Sequence, residues 1–200
     1  YPMSVLYAYD PDKPWTSNRR MEDLAQSKLS EGELDALNPR NLGNFRDTAT
    51  HYAYYLIPSK NGRIYFGGRR ERDGTGGGAG WYDPAAKTFG GHHDNLSFLA
   101  PRGMVVLDDL QRVVYSGELQ NDPTNPQEKP TQAQLVVYDM DLKELERLTV
   151  KPGIKKTGRR FSSTRPGEFS GVSEEDGVLY RYDLKNKRVI DWKTLPEGGV

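Results

Sequence analysis

Three short stretches of this sequence hold side chains whose types and spacing could do chemistry. Arg69, Arg70 and Arg72 stand where an apolar run gives way to a glycine-rich stretch. Arginine forks grip carboxylate or phosphate through paired hydrogen bonds, which makes the trio a candidate anion site. The plainer reading is a solvated loop whose charges pair with Glu71 and Asp73. His92, His93 and Asp94 form a cluster of metal-ligand side chains. Neighbours in an extended chain point to opposite faces, so only His92 and Asp94 could share an ion, with Glu118 as a third ligand from elsewhere. A polar turn after Gly90-Gly91 is simpler, and neither a metal nor a cofactor is expected. Arg69, Arg70, Arg72, His92, Asp94 and Glu118 are therefore the candidate ligand-binding residues, and no catalytic residue is assigned.

Other familiar chemistries find no footing. The chain has no Cys, which removes disulfides, cysteine nucleophiles, thiolate zinc sites and iron–sulfur clusters together. Gly74, Gly76 and Ala79 make a G-x-G-x-x-A string, but Trp81-Tyr82-Asp83-Pro84 after it reads as strand and turn. No helix N-terminus is left there to meet a phosphate. Ser170 lies in Gly167-Glu168-Phe169-Ser170-Gly171, which is not the G-x-S-x-G nucleophile elbow. Lys151, Lys155, Lys156, Arg159, Arg160 and Arg165 crowd one stretch with Phe161 as the single aromatic. That pattern gives no stacking platform for nucleic acid, though it could meet an acidic partner or simply be a solvated connection.

The chain has 200 residues, with 28 basic and 28 acidic side chains and zero net charge. General nucleic-acid binders are usually basic, so no nucleic-acid partner is expected. A mean hydropathy of −0.80 is low, yet 12 Tyr, 6 Phe and 3 Trp can build a core. No apolar run approaches the roughly 18 residues of a membrane helix, and no membrane partner is expected. The sequence begins at Tyr1 with no charged-then-apolar leader, which suits a processed chain or a piece of a longer one. Asn95-Leu96-Ser97 is a glycosylation triplet of a kind that arises often by chance. The compartment stays open, with a lean towards secretion or the periplasm.

Something must position these residues, and a repeat supplies it. An alternating apolar stretch ending in Tyr-Asp and a turn occurs four times, with the aspartates at Asp10, Asp83, Asp139 and Asp183. Period-two alternation of aromatic and β-branched residues predicts strands, and Asp, which can bond its own backbone two residues on, predicts the turns. A second short strand follows at Lys87-Thr88-Phe89, Leu145-Glu146-Arg147-Leu148 and Arg188-Val189-Ile190. Further strands precede the middle copies at 63–67, 104–107 and 112–116. Four up-and-down strands per copy is the make-up of a propeller blade. The aspartates lie 73, 56 and 44 positions apart, and the last spacing equals one bare blade. The first excess coincides with a helical pattern through Met21, Leu24, Ala25 and Leu29, and with a Ser30/Glu33 capping box. That insertion, spanning 15–47, either covers an edge or lids a site. The second excess coincides with an exposed Pro-rich loop at 119–133.

The segment Ile64-Tyr65-Phe66-Gly67-Gly68, with its glycine-rich loop and Trp81-Tyr82-Asp83-Pro84, resembles a kelch blade. In that family a glycine pair closes the second strand, and six residues separate a Tyr from an aromatic, as they separate Tyr82 from Phe89. The other copies depart from it: Tyr115-Ser116-Gly117 replaces the pair, and Leu145 and Val189 replace the aromatic. Their Tyr-Asp turns are similar to those of many propellers, including gluconolactonase, quinoprotein and WD40-like types. The expected fold is all-β, a partial β-propeller of about four four-stranded blades over 1–200 with a short helical insertion. Its remaining blades would come from sequence not present here or from another copy. The expected role is a binding or scaffold module that recognises a protein partner, or a small polar or carbohydrate ligand, through blade loops. The alternative is a propeller hydrolase, lactonase or lyase acting on a sugar-like substrate at the axial channel.

Overall fold

The structure is a computed structural model and describes residues 5–16, 30, 32–33, 36–45, 48, 50–69, 76–92, 99–119, 131–159, 161–173 and 177–196, without the side chains of His92 and Thr164. A two-stranded sheet joins β1 (Val5–Ala8) to β2 (Arg40–Asn44). Three four-stranded sheets follow in strict sequence order. The second holds β3 (Tyr52–Pro58), β4 (Ile64–Arg69), β5 (Gly77–Asp83) and β6 (Thr88–His92). The third holds β7 (Leu99–Leu107), β8 (Arg112–Leu119), β9 (Leu135–Tyr138) and β10 (Glu144–Leu148). The fourth holds β11 (Phe161–Arg165), β12 (Glu168–Ser173), β13 (Val178–Asp183) and β14 (Arg188–Thr194). All pairings are antiparallel.

Three apolar clusters explain why the sheets pack face to face. Leu6 of the first sheet and Phe45, which directly follows β2, meet Phe66 and Tyr82 of the second. Tyr65 and Ala79 of the second meet Met104, Tyr115, Val136 and Tyr138 of the third. Val105, Leu107, Leu135 and Val137 of the third meet Phe169, Tyr180 and Tyr182 of the fourth. The period-two strand places Val136 and Tyr138 on one face of β9 and Leu135 and Val137 on the other, so the third sheet is buried on both sides. First strands converge: β7 lies against both β3 and β11. The same strand β7 also contacts β4 and β5, so the first strand of the third sheet lies between its two neighbours, as an inner strand of a propeller blade does.

The glycine pair of β4 serves this packing directly. A Cβ on Gly67 would lie 2.4 Å from Cε1 of Tyr115, and one on Gly68 would lie 1.7 Å from the carbonyl oxygen of Tyr52. One glycine therefore receives a ring from the next sheet, and the other lets β3 close in. Buried tyrosine hydroxyls then tie neighbours together. Tyr115 donates to the Phe66 carbonyl at 2.9 Å, and Tyr65 donates to the Met140 carbonyl at 2.6 Å. Each such bond contributes about 1 kcal/mol net, and each hydroxyl would cost more if left unpaired.

The Tyr-Asp strands appear as β1, β5, β9 and β13. Four strands have no counterpart in the sequence patterns: β2, β3, β11 and β12. Arg40–Asn44, inside the span read as a helical insertion, is strand β2. Ser30 and Glu33 make reciprocal capping bonds, Ser30 N to Glu33 Oε2 at 2.8 Å and Glu33 N to Ser30 Oγ at 3.4 Å. The pattern at Met21, Leu24, Ala25 and Leu29 lies outside the described residues, as do 120–130 of the Pro-rich loop and Asn95.

Candidate functional site

The two ends of the sheets differ in kind. At one end sit the tight hairpins, each organised by its aspartate. Asp83 Oδ1 accepts from the N–H groups of Ala85 and Ala86 at 2.9 and 3.0 Å. Asp139 Oδ1 accepts from Asp141 N and Lys143 N at 3.0 and 2.9 Å. Asp183 accepts from Asn186 N at 3.0 Å and from its side-chain amide at 2.6 Å. The side-chain amide and backbone bonds of Asn186 hold the Asp183 carboxyl below its ordinary value. These repeated carboxylates are occupied in shaping turns. The opposite end, where first and third strands begin, receives the long connections 70–76, 93–98, 120–134 and 149–160. Loops on a rigid scaffold are where binding residues concentrate.

At that loop-rich end Glu118 gathers a cluster. Arg102 Nε donates to Glu118 Oε2, and Lys156 Nζ lies 3.6 Å from Glu118 Oε1. The Arg102 guanidinium also stands over the Tyr54 ring, 5.3 Å from its centroid, with Nη1 3.4 Å from the Tyr54 hydroxyl. Strand irregularities place both partners. The β3 register skips Tyr54 between Ala53 and Tyr55, and the β7 register skips Arg102 between Pro101 and Gly103. The bulges face equivalent residues of the second strands, Gly67/Gly68 and Ser116/Gly117. A bulge adds an unpaired residue and re-aims its side chain, here bringing an aromatic from one sheet beneath an arginine from the next.

Lys156 arrives on the connection between the third and fourth sheets. Glu118 and Lys156 form an isolated antiparallel bridge, Leu119 N donates to Lys155 O at 3.0 Å, and Thr157 N donates to Gly117 O at 3.3 Å. The basic stretch is thus fastened along the end of β8. Lys155 Nζ donates to Thr131 O at 2.9 Å, Lys151 Nζ stands 5.3 Å from the Trp192 ring centroid, and the Arg159 carbonyl accepts from the Tyr55 hydroxyl.

The six candidate residues fare differently. Glu118 sits at the centre of the cluster. Arg69 ends β4 at the place Glu118 holds in β8, directly after the strand's last small residue, and its buried Nε has no hydrogen-bond partner among the described residues. His92 ends β6 at the same end of the sheets, its side chain outside the described part. Arg70, Arg72 and Asp94 also lie outside it. Among the described residues no group of three His, Cys, Asp or Glu side chains could hold a metal. Arg102, Lys156 and Tyr54 are the residues that complete the cluster. One sequence signal pointed to Arg102: Pro101-Arg102-Gly103 interrupts an apolar run, and Pro or Gly inside a strand marks a bulge.

No family model and no curated protein matches this sequence. Among solved structures, a chain in the crystal structure of a nidogen/laminin complex matches with a TM-score of 0.55 at 10% sequence identity. The match covers 80% of this chain and 52% of that one, so the chain spans about half the length of its structural neighbour. Such a likeness speaks to the fold alone. With the sequential four-stranded sheets and their converging first strands, it identifies the architecture as all-β and propeller-like.

Proposed function

We propose that the chain is a β-propeller binding module whose loop-rich end takes an acidic segment of a protein partner. The observation that carries this reading is the Tyr54–Arg102–Glu118–Lys156 cluster in its charged setting. Arg102 and Lys156 hold Glu118, and Arg69, Lys151, Lys155 and Arg159 are further cations among the described residues of that end. Around Glu118 the described residues therefore carry more cations than carboxylates, and such a local field favours an acidic segment. Tyr54 is 40% exposed and Leu56, on the same face of β3, is 51% exposed. Aromatic and arginine side chains are the usual anchors of protein interfaces. The enzymatic alternative draws less support: Glu118 is tied to two cations, whereas glycoside hydrolysis needs two carboxylates across the scissile bond. Further blades, from the remainder of a longer chain or a second copy, would complete the wheel.

The test is fluorescence anisotropy with labelled oligoglutamate and oligolysine peptides, for the native chain and for Arg102→Ala combined with Lys156→Ala. The oligoglutamate peptide is expected to bind the native chain more tightly, to weaken with added salt, and to lose roughly tenfold in affinity with the double variant. Equal binding of the two peptides, or an unchanged affinity in the variant, refutes the proposal.

A further inference from the structure

The first sheet breaks the pattern of the others. Where they have a tight turn after the Tyr-Asp strand, it has the long connection from β1 to β2, and a cavity of about 320 Å³ opens there. Tyr9, Asp10, Lys13, Thr16, Asn38 and Arg40 are among the residues that line it. That volume falls within the range of small-molecule sites, about 300 to 1,000 Å³. Tyr9, which lines the cavity, and Trp15, the ring neighbour of Tyr9, are the two most exposed large apolar side chains among the described residues, at 57% and 56%. Their ring centroids are 6.0 Å apart and their planes are inclined at 45°.

The walls are held rigidly. The Asn38 side-chain amide donates to the carbonyls of Asp10, Lys13 and Pro14 at 2.9, 2.9 and 3.2 Å, and its oxygen accepts from Asp10 N at 2.9 Å. Thr16 and Asn38 exchange two more bonds, Asn38 N to Thr16 Oγ1 at 2.8 Å and Thr16 N to Asn38 O at 3.1 Å. One buried amide thus clasps the whole segment that presents Tyr9 and Trp15. Such preorganisation lowers the ordering cost of binding.

We infer that this cavity is a saccharide site, with a neutral sugar ring stacked on Tyr9 and Trp15 and its hydroxyls bonded to the polar rim. The chemistry of the rim selects that class. Exposed aromatic faces accept the C–H face of a sugar ring. Asp10 and Lys13 pair at 3.2 Å, which places an acceptor and a donor side by side while their charges cancel. The inclined rings cannot sandwich a planar base, which needs parallel faces. The site lies at the opposite end from the Glu118 cluster and does not depend on the acidic-partner reading.

Saturation-transfer NMR with glucose, galactose, mannose and N-acetylglucosamine at millimolar concentration tests it, with adenosine as the planar probe. At least one sugar is expected to receive saturation at its ring C–H protons. Trp15→Ala and Tyr9→Ala should each reduce that transfer about fivefold or more. Trp15→Phe, which keeps a ring, should retain most of it, and Arg102→Ala at the far end should leave it unchanged. Both aromatics are more than half exposed, and urea midpoints matching the native chain will show that the variants fold. Silence from all four sugars, transfer to adenosine alone, or equal transfer in the alanine variants overturns the inference.

Discussion

Replacing Gly67 with alanine tests the packing of the second sheet against the third. The added methyl would lie 2.4 Å from Cε1 and 2.9 Å from Cδ1 of Tyr115, whereas carbon atoms rest about 3.5 to 4.0 Å apart. The ring has nowhere to retreat. Tyr115 is fully buried, meets Tyr138 edge-on at 5.7 Å, and holds its hydroxyl on the Phe66 carbonyl. Overpacking costs about 1 to 3 kcal/mol, and loss of the hydroxyl bond adds about 1 kcal/mol. Alanine is easier to order than glycine in a strand, which returns roughly 0.5 to 1 kcal/mol. The net expectation is a destabilisation of about 1 to 3.5 kcal/mol, read from urea unfolding at constant m-value. A second variant makes the argument specific. Tyr115→Leu alone should destabilise by leaving a void, but combined with Gly67→Ala it should cost less than the sum of the two. A coupling of about 1 kcal/mol or more is expected, since the residues share one contact. A Gly67→Ala chain within about 0.5 kcal/mol of native, or strictly additive variants, would refute the face-to-face packing described here.

Two further outcomes follow from other parts of the molecule. Asn38→Ala removes an amide that makes four hydrogen bonds and should loosen 10–16 locally, so the Asp10 and Thr16 amides exchange faster while those of β8 and β9 do not. Burial, with Glu146 and Asp183 adding to it, pushes the Tyr182 phenol up to about 12, and burial raises Tyr115, Tyr138 and Tyr180 as well. Unfolded phenols ionise near pH 10 while the folded ones stay neutral, so above about pH 10 the unfolded chain binds fewer protons and stability falls. Alkaline titration should show tyrosinate absorbance rising together with loss of β-sheet circular dichroism. Full ionisation with the fold intact would count against buried phenols.

The parts of the fold legible in the sequence are those where one residue type has one job. In β5, β9 and β13 Tyr-Asp marks the third strand of a blade because the strand buries the tyrosine and the turn uses the aspartate, whereas Tyr9 of the first copy stays exposed. Strand β3 is harder to see. Tyr52-Ala53-Tyr54-Tyr55-Leu56-Ile57-Pro58 contains a bulge at Tyr54, and an extra residue breaks the period-two alternation. Strand β12 had a signal of its own. Phe169-Ser170-Gly171 repeats the aromatic–small–glycine order of Phe66-Gly67-Gly68 and Tyr115-Ser116-Gly117, and each places its second strand beside a close-packed neighbour. The cluster at Glu118 was half legible. Its carboxylate stood out, but Arg102 and Tyr54 come from different sheets, and their meeting depends on two bulges, of which only the one at Pro101-Arg102-Gly103 carries a local mark.

This contrast indicates where function resides in such a molecule. A carboxylate that recurs in every blade is a poor catalytic candidate, because recurrence follows from the structural task that every blade shares. Asp83, Asp139 and Asp183 each spend their lone pairs on backbone or side-chain amides of their own turn. Departures from the repeat carry no such obligation. Arg102 stands at a bulge opposite Ser116 and Gly117 where the fourth sheet keeps regular register, Phe161 facing Gly171 and Ser162 facing Ser170; Glu118 replaces the Arg69 of the preceding sheet, and the first sheet exchanges a tight turn for a walled cavity. Each departure adds charge, aromatic surface or volume that the scaffold does not need for its own stability. Binding chemistry in a propeller is therefore sought where its blades cease to resemble one another.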